Sequence, residues 1–448
     1  MNPPKIFFIL SLVLCFSACK KDESTESRLD SELTEALEAA ANGQGLSFFS
    51  LPASNDFANI PQDPKNPLTA QKVALGQQLY HETGLALSPR MAIGQGTFSC
   101  ASCHFASAGF QAGRHQGISD GGVGFGVNGE GRRPHQLYPE DSLDVQPIRT
   151  PSTLNTAYQE LMLWNGQFGA GGANVGTEYA WTPGTPIATN QLGYEGLEIQ
   201  AIAGLGVHRL KVDETILEDL GYKAAFDEVF ADIEPTKRYS AEFAGLAIAA
   251  YERTLLANQA PFQQWLKGDQ DAMSDAEKRG AVLFFKDAQC TTCHTGPALS
   301  SMEFYALGMK DLFATPEESF GAHSDSGANL GRGGFTGNTS ENYKFKVPQL
   351  YNMSNSLFLG HGSSFRSIRE VVEYKNAAIS ENEVVPTEQL ADGFQPLMLD
   401  EQEISDITAF LSTALNDQNL SRYQPSSVNS GNCFPNNDDI SKVDLGCN

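Results

Sequence analysis

The sequence predicts a mainly α-helical protein with two tandem domains of one kind and long loops. Apolar residues recur at helical spacing in several segments, whereas alternating β patterns are few. Residues 111–147 and 169–194 are rich in glycine and lack periodicity, so they are predicted to be loops. A weak internal repeat also indicates a duplicated domain. Its matching segments are Gly76-x-x-Leu79-Tyr80 with Gly280-x-x-Leu283-Phe284, and Pro151-x-x-Leu154-Asn155 with Pro348-x-Leu350-x-Asn352.

Length and charge exclude several classes of protein. The chain has 448 residues, enough for two to three domains, and its formal net charge is -24. Such an acidic balance argues against a nucleic-acid partner, because those partners select basic surfaces. An acidic surface would instead attract a basic protein, or it would simply keep the chain soluble.

The first 18 residues have the pattern of a bacterial signal peptide. One lysine precedes an apolar run from Ile6 to Phe16, which is too short to span a bilayer. Ser17-Ala18-Cys19 resembles the cleavage motif of lipoproteins, so Cys19 is predicted to be the lipidated first residue of the mature chain. The alternative is ordinary cleavage, which would release a free periplasmic protein.

Helices are predicted in order along the mature chain. A polar tether and one helix occupy residues 19–66, and that helix runs from Leu29 to Ala40 before Asn42-Gly43. Thr69 is predicted to cap the next helix, which carries Val73, Leu75 and Leu79. Further helices are expected within residues 217–266, most clearly at 244–256. Residues 401–415 are predicted to form the last amphipathic helix.

The predicted domains follow from these elements and from the repeat. The first domain is placed at residues 67–255 and the second at residues 256–420. A polar tail, residues 421–448, carries Cys433 and Cys447. In an oxidising compartment these two cysteines are expected to form a disulfide that closes a short loop.

Two C-x-x-C-H motifs carry the chemistry. They are Cys100-Ala101-Ser102-Cys103-His104 and Cys290-Thr291-Thr292-Cys293-His294. Two thiols at this spacing can bond to the two vinyl groups of one porphyrin, and the histidine can then bind the iron. The motifs therefore predict two covalent c-type haems. The alternatives are a zinc site made by four cysteines and thioredoxin-like redox pairs.

With these motifs the sequence resembles the bacterial di-haem cytochrome c peroxidase family, which includes the tryptophan-tryptophylquinone maturases. The resemblance runs from about residue 68 to about residue 415. Besides the haem motifs, it is carried by Ala74–Tyr80, Arg149–Asn155, Leu163–Gly166, Leu197–Ala201, Tyr251–Leu255 and Phe345–Pro348. It implies two cytochrome-c-like helical domains with one haem each. The N-terminal haem would meet peroxide and the C-terminal haem would relay an electron.

The resemblance also implies roles for residues around the first haem. Trp164 matches the family tryptophan between the haems and would relay electrons, although a tryptophan there could also be a simple core residue. Gln200 matches a glutamine of the peroxide pocket. Leu210 stands where the family has its acid–base glutamate. We expect His208, assisted by Arg209, to move the proton instead, with Glu198 as the fallback.

The sixth ligands of the two irons are the least determined part of the site. For the first haem, His115 is the candidate, because some family members use a histidine after the first motif. For the second haem the family uses methionine or tyrosine. An ungapped match places Lys375 there, with Tyr374 beside it, and His361 matches a histidine near that haem. No methionine occurs between Met353 and Met398, and loss of a methionine ligand would lower the haem potential.

A calcium ion between the domains is a further family feature. Arg149 stands where the family has an asparagine ligand, so calcium is left open.

The resemblance implies a peroxidase that reduces hydrogen peroxide to water at the periplasmic face of a membrane. Its electrons would come from a small cytochrome c or a blue copper protein, and family members are often homodimers. One alternative is a maturase-like oxidase that acts on a partner protein. The other is a di-haem electron carrier without catalysis, which the missing glutamate favours.

Overall fold

The computed structural model describes residues 25–447, so the predicted signal peptide and the predicted lipidation of Cys19 lie outside the described residues. This part of the chain is mainly helical, with many single 3-10 turns, and the predicted fold class is confirmed. Its α-helices are α1 Thr25–Ala40, α2 Ala70–His81, α3 Gly196–Val207, α4 Glu214–Asp219, α5 Lys223–Val229, α6 Pro235–Arg238, α7 Ala241–Arg253, α8 Pro261–Leu266, α9 Asp275–Phe285, α10 Arg332–Thr336, α11 Ile368–Ala377, α12 Glu401–Ala409 and α13 Asp439–Leu445.

Strands are short and occur in two antiparallel pairs. Strand β1, Gly122–Val123, pairs with β2, Arg133–Pro134, inside the predicted loop 111–147. Strand β3, Phe304–Tyr305, pairs with β4, Phe345–Lys346. None of the described helices is long and apolar enough to cross a membrane.

Each of two similar units is built on a pair of crossed helices. In the first unit α2 packs on α7, and in the second α9 packs on α12. Gly76 and Gly280 lie at the two crossings. A Cβ atom on Gly76 would lie 1.8 Å from the Ala247 carbonyl oxygen, and one on Gly280 would lie 1.9 Å from that of Asp406. The repeated glycines therefore allow each helix pair to approach closely.

The duplication continues into the loops that follow the motifs. Asn155 and Asn352 both have positive φ angles, 58° and 56°, and each begins a 3-10 turn. Isolated bridges then join Met162 to Phe168 and, at the matching place, Leu359 to Phe365. The repeat predicted from the sequence is confirmed in the three-dimensional structure, while the predicted domain limits at 67, 255 and 420 stay predictions.

The two ends of the described chain cross over between the units. Helix α1 packs against α9 of the second unit, and Asp30 binds Lys278 there at 2.9 Å and accepts a hydrogen bond from Trp265 Nε1. The tail instead packs on the first unit, where the Pro435 carbonyl accepts hydrogen bonds from Ser99 and Ser102. Each unit is thus completed by a segment from the far end of the chain.

The helix predicted at residues 401–415 is present, but the prediction that it is the last helix is wrong. Helix α12 ends at Ala409 and continues as a π-helical turn, Phe410–Ala414, and the tail contains the additional helix α13. Helix α13 has only seven residues and is rich in polar side chains, so it carries no apolar periodicity that a sequence pattern could reveal. Asp438 caps it, and a disulfide joins Cys433 to Cys447 across it.

Candidate functional site

The first C-x-x-C-H segment forms a tight 3-10 turn, Cys100–Ser102, and Ser99 and Ser102 hold its start by a reciprocal capping box. Cys100 and Cys103 are not joined in a disulfide. The Nδ1 atom of His104 lies 3.3 Å from the Phe110 carbonyl oxygen. Because a carbonyl can only accept, Nδ1 carries the proton and Nε2 keeps its lone pair for a metal. Burial, with a smaller contribution from the nearby charge of His208, lowers the pKa of His104 to about 4.

The second motif repeats this arrangement. Residues Cys290–Thr292 form the same 3-10 turn, and Cys290 and Cys293 are not joined in a disulfide. The Nδ1 atom of His294 lies 3.0 Å from the Leu299 carbonyl oxygen, and burial lowers the pKa of His294 to about 4. Each histidine is therefore neutral, with its ring orientation fixed and its Nε2 lone pair available.

A cavity of about 930 Å³ opens beside the second motif and is lined by Cys290, Cys293 and His294. Its size lies toward the upper end of the range of cofactor sites, roughly 300–1,000 Å³. Most of the remaining lining is apolar, including Phe284, Val347, Leu359, Ile368 and Val371. A flat apolar cofactor with one metal ligand from the chain fits this donor set.

Neither alternative for the cysteines fits the structure. Within residues 25–447 no group of three or more His, Cys, Asp or Glu side chains is arranged to hold a metal ion, so the four cysteines do not make a zinc site. Burial raises the pKa of Cys100 and of Cys290 to about 12. Reactive redox cysteines have lowered pKa values, so these buried thiols do not suit thioredoxin-like chemistry.

His208 ends α3 beside the first motif. Its Nδ1 atom lies 2.8 Å from Asp144 Oδ2, and the side chain is 36% exposed. Burial disfavours the imidazolium, but the charge and the hydrogen bond of Asp144 outweigh burial and raise the pKa of His208. Asp144 also accepts a hydrogen bond from Ser119 and lies 3.3 Å from Arg209. This arrangement orients the imidazole and leaves Nε2 for proton transfer.

The residues next to His208 do not offer a second proton carrier. Arg209, at a φ of 58°, is bound to Asp120 at 3.0 Å. Leu210 is buried and apolar. The Leu210 side chain therefore cannot carry out the proton transfer that the family glutamate performs at this position.

Gln200 lies within α3, eight residues before His208 at the end of that helix. Its Oε1 atom is buried and has no hydrogen-bond partner in the part of the chain that the structure describes. An amide in that state retains its hydrogen-bonding capacity for a bound molecule.

The structure contradicts the fallback assignment of Glu198. Both of its oxygens accept hydrogen bonds from Arg253, at 2.8 and 2.6 Å, and Asn66 donates a third at 3.2 Å. Both side chains of this ion pair are fully buried. Glu198 therefore holds α3 to α7 and is not available for proton transfer.

The structure also contradicts ligation by His115 in this conformation. His115 Nε2 lies 2.7 Å from the carbonyl oxygen of Glu318 in the second unit, and the His115 carbonyl accepts a hydrogen bond from Ser363. The neighbouring Gln116 bonds to Phe320. His115 thus joins two loops between the units, and sequence spacing could not reveal that distant partner.

Trp164 lies between the two motifs. Its Nε1 atom donates to the Arg149 carbonyl at 2.8 Å, and its own carbonyl accepts from the Lys346 backbone N–H at 2.7 Å. Pro151 follows Arg149 by two residues, and its backbone interacts with the His104 ring. Pro348 follows Lys346 by two residues, and its backbone interacts with the His294 ring. Trp164 is therefore linked through short backbone segments to both motif histidines.

Helix α11 borders the second-motif cavity and corrects the assignment of Tyr374. The Tyr374 hydroxyl donates to the Leu307 carbonyl, and its ring packs between Phe365 and Phe394. Lys375 lines the cavity instead. Tyr374 does not line the cavity, so Lys375 is the residue of this pair that can reach a cofactor there. Burial lowers the pKa of Lys375 to about 8.

His361 also lines this cavity, but as a structural residue. Its ring stacks on Phe345 with centroids 3.7 Å apart, and its Nε2 atom lies 3.1 Å from Asp311 Oδ1. Its ring edge meets Trp164.

Arg149 does not fit a calcium site. Its guanidinium donates to the Arg114 carbonyl and to the side-chain oxygens of Gln111 and Ser356. The positive charge of the Arg149 side chain thus already lies among these oxygens, and Arg149 bridges the two units. Burial lowers the pKa of Arg149 to about 9.

Sequence reasoning missed Asp144, Asp120 and the bridging role of Arg149. Asp144 and Asp120 lie in the glycine-rich stretch 111–147, where no periodicity or spacing signals a function. What distinguishes these carboxylates is their burial within a loop, and burial is not visible in the sequence.

Comparison with known proteins agrees with this geometry. Residues 70–271 match the family model described as di-haem cytochrome c peroxidase. The chain is 30% identical to cytochrome-c peroxidase IdrP1 of Denitromonas iodatirespirans, over 79% of this chain and 83% of that protein. It is 29% identical to the methylamine utilization protein MauG of Methylorubrum extorquens, over 79% and 81%.

Solved structures support the fold. A MauG-like protein associated with microbial copper homeostasis superposes with a TM-score of 0.55 at 22% identity, covering 83% of this chain and 95% of that one. The Y463M variant of the di-haem peroxidase BthA from Burkholderia thailandensis gives a TM-score of 0.52 at 16% identity, covering 80% and 89%. The two crossed-helix units are thus tandem cytochrome-c-like domains, and the chain belongs to the di-haem cytochrome c peroxidase family.

Proposed function

We propose that this protein reduces hydrogen peroxide to water with two electrons from a small redox protein. Each turnover consumes one peroxide, two electrons and two protons and releases two water molecules. The observation that carries the proposal is the His208–Asp144 pair beside the first motif. An imidazole oriented by a buried carboxylate is the kind of group that moves protons near neutral pH.

Family membership implies two haems of the c type. Cys100, Cys103 and His104 would hold one haem, and Cys290, Cys293 and His294 would hold the other. When bound, a haem supplies an iron that binds peroxide and exchanges electrons with it. The fixed ring orientations and free Nε2 lone pairs of both histidines support this assignment.

The chain supplies the proton transfer at the first haem. His208 Nε2 takes a proton from the bound peroxide and returns it to the departing oxygen, while Asp144 stabilises the imidazolium. The buried amide oxygen of Gln200, which has no hydrogen-bond partner among residues 25–447, orients the substrate. Because His115 is bound to Glu318, it leaves the peroxide position open.

Electron transfer between the haems would pass by Trp164. Support comes from its hydrogen bonds to Arg149 and Lys346, each of which lies two residues before a proline in contact with a motif histidine.

We place the protein in the periplasm, tethered by a lipid on Cys19. The acidic net charge of -24 suits a basic electron donor, such as a small cytochrome c or a blue copper protein. A homodimer remains a prediction that a mass measurement in solution checks.

The experiment is a steady-state assay of the protein carrying both haems, with peroxide and a reduced small cytochrome c. We expect oxidation of two cytochrome molecules for each peroxide consumed. If peroxide is not consumed from any redox state, the protein is an electron carrier and the proposal fails.

A maturase-like oxidase is the second candidate. Two observations favour it. No methionine lies on the side of α11 that faces the cavity, and His115 is bound to the Glu318 carbonyl. In that case the ferric protein would react with peroxide at once but would not turn over with a small cytochrome.

A further inference from the structure

Helix α11 forms one wall of the second-motif cavity, in which His294 also lies. Four of its residues line the cavity: Ile368, Val371, Val372 and Lys375. Their spacing of three, four and seven residues defines a single helix face. The first three side chains are hydrocarbon, so Lys375 is the only residue on this face with an atom that can bind a metal.

The Lys375 amine has no competing partner. Among residues 25–447 its Nζ atom makes neither a hydrogen bond nor a salt bridge, and its described contact is the face of Phe394, at 5.7 Å from the ring centroid. A charged ammonium without a partner in an apolar cavity is costly. Donation of the amine lone pair to a metal would remove this unpaired charge from the cavity.

Three of the other nitrogen and oxygen donors that line the cavity are engaged elsewhere. His361 Nε2 is bound to Asp311, and Lys346 Nζ donates to Gln159 at 2.6 Å. The Tyr305 hydroxyl donates to Glu303. Two thioethers, of Met309 and Met353, also line the cavity and are the competitors that an experiment has to exclude.

We propose that the Lys375 ε-amine is the sixth ligand of the second haem, opposite His294. The inference rests on the proposed function only in requiring a haem at this motif. It deepens that function because methionine ligation raises a haem potential, and an amine in its place leaves the potential low. The second haem would then stay ferric with donors that reduce a methionine-ligated haem, and the enzyme would meet peroxide in its fully ferric state.

The test uses the protein with both haems attached, studied in the ferric state by electron paramagnetic resonance and near-infrared magnetic circular dichroism. The wild type is expected to show one low-spin haem with two nitrogen ligands and no thioether charge-transfer band. Lys375→Ala should convert that haem to high spin. Lys375→Met should keep it low-spin, create the thioether band and raise its potential.

Two controls keep the outcome decisive. Met309→Leu and Met353→Leu should leave the low-spin signal unchanged, and covalent haem content should show two haems in every variant. The proposal is overturned if the wild type already has a thioether band, if either methionine variant removes the low-spin signal, or if neither Lys375 variant alters it. These spectra do not depend on turnover, so failure of the peroxidase proposal would be seen separately in the activity assay.

Discussion

At the scale of single residues, the account depends on one imidazole and the carboxylate behind it. Spacing placed His208 near the family's glutamate position, and the structure adds Asp144 at 2.8 Å. The spacing could not separate Glu198 from His208, because both occur at α3 within about ten residues of each other. The structure distinguishes the two residues. Both carboxylate oxygens of Glu198 accept hydrogen bonds from Arg253, whereas the His208 side chain is partly exposed.

Replacing His208 by glutamine should lower kcat/KM for peroxide by about 100-fold or more, the range of general acid–base catalysis. Haem content and the free energy of unfolding should change little. His323→Gln, at an exposed histidine away from the motifs, is the matched control. Unchanged kcat/KM in the His208 variant would remove this residue from the mechanism.

Asp144→Asn should move the pH profile. The Asp144 carboxylate raises the pKa of His208, and His208 must be neutral to accept a proton from peroxide. Activity in the wild type therefore rises as pH rises through this pKa. Without the carboxylate the pKa falls, so the rising limb of kcat/KM should shift to lower pH. An unmoved limb, as expected for the exposed control Asp141→Asn, would contradict the pairing.

At the scale of elements, helices with an apolar face were predictable and short polar elements were not. Thr69 caps α2 as predicted, because its side chain accepts a hydrogen bond from the Lys72 backbone N–H. Helix α13 escaped prediction because it is held by Asp438 and by contacts with the first unit instead of by an apolar stripe of its own. The sequence likewise could not show which of Tyr374 and Lys375 faces the cavity, because an ungapped match does not give the rotation of the helix about its axis.

The crossed helices make a direct prediction about Gly76. Gly76→Ala places a methyl group 1.8 Å from a backbone oxygen of α7, so the helices must separate, and the free energy of unfolding should fall by about 3 kcal/mol. Gly280→Ala should behave alike in the second unit. Gly206→Ala on α3 meets nothing within 4 Å and should be neutral or slightly stabilising. Equal stability of all three variants in denaturant unfolding would rule out this packing.

At the scale of the whole molecule, each end of the described chain packs on the unit that is more distant in sequence. Sequence patterns contain no signal for this arrangement. The repeat predicted two similar domains, but it could not show that α1 completes the second unit or that the tail completes the first. The tail is anchored by Asp438, which lies 3.5 Å from the buried Arg132 and caps α13.

Asp438→Asn should keep the helix cap but leave Arg132 without its counter-charge, at a cost of about 3 kcal/mol at pH 7. Burial opposes ionisation of Asp438, but hydrogen bonds from Ser441 and Gly124 and the charge of Arg132 lower its pKa. Its contribution is thus present above the unfolded-state pKa of about 3.9 and is lost as pH falls through the lower folded pKa. Denaturant unfolding at several pH values should show the two proteins converging in acid; a constant difference would contradict the charge effect.

The most direct test of the central claim is rapid mixing of the fully ferric protein with hydrogen peroxide, followed optically. With His115 held by Glu318 and the proton carrier in place, the first haem should react promptly, at a rate proportional to peroxide concentration. Reaction only after the protein has been half-reduced would contradict the account, because it would mean that a side chain must first leave the peroxide position.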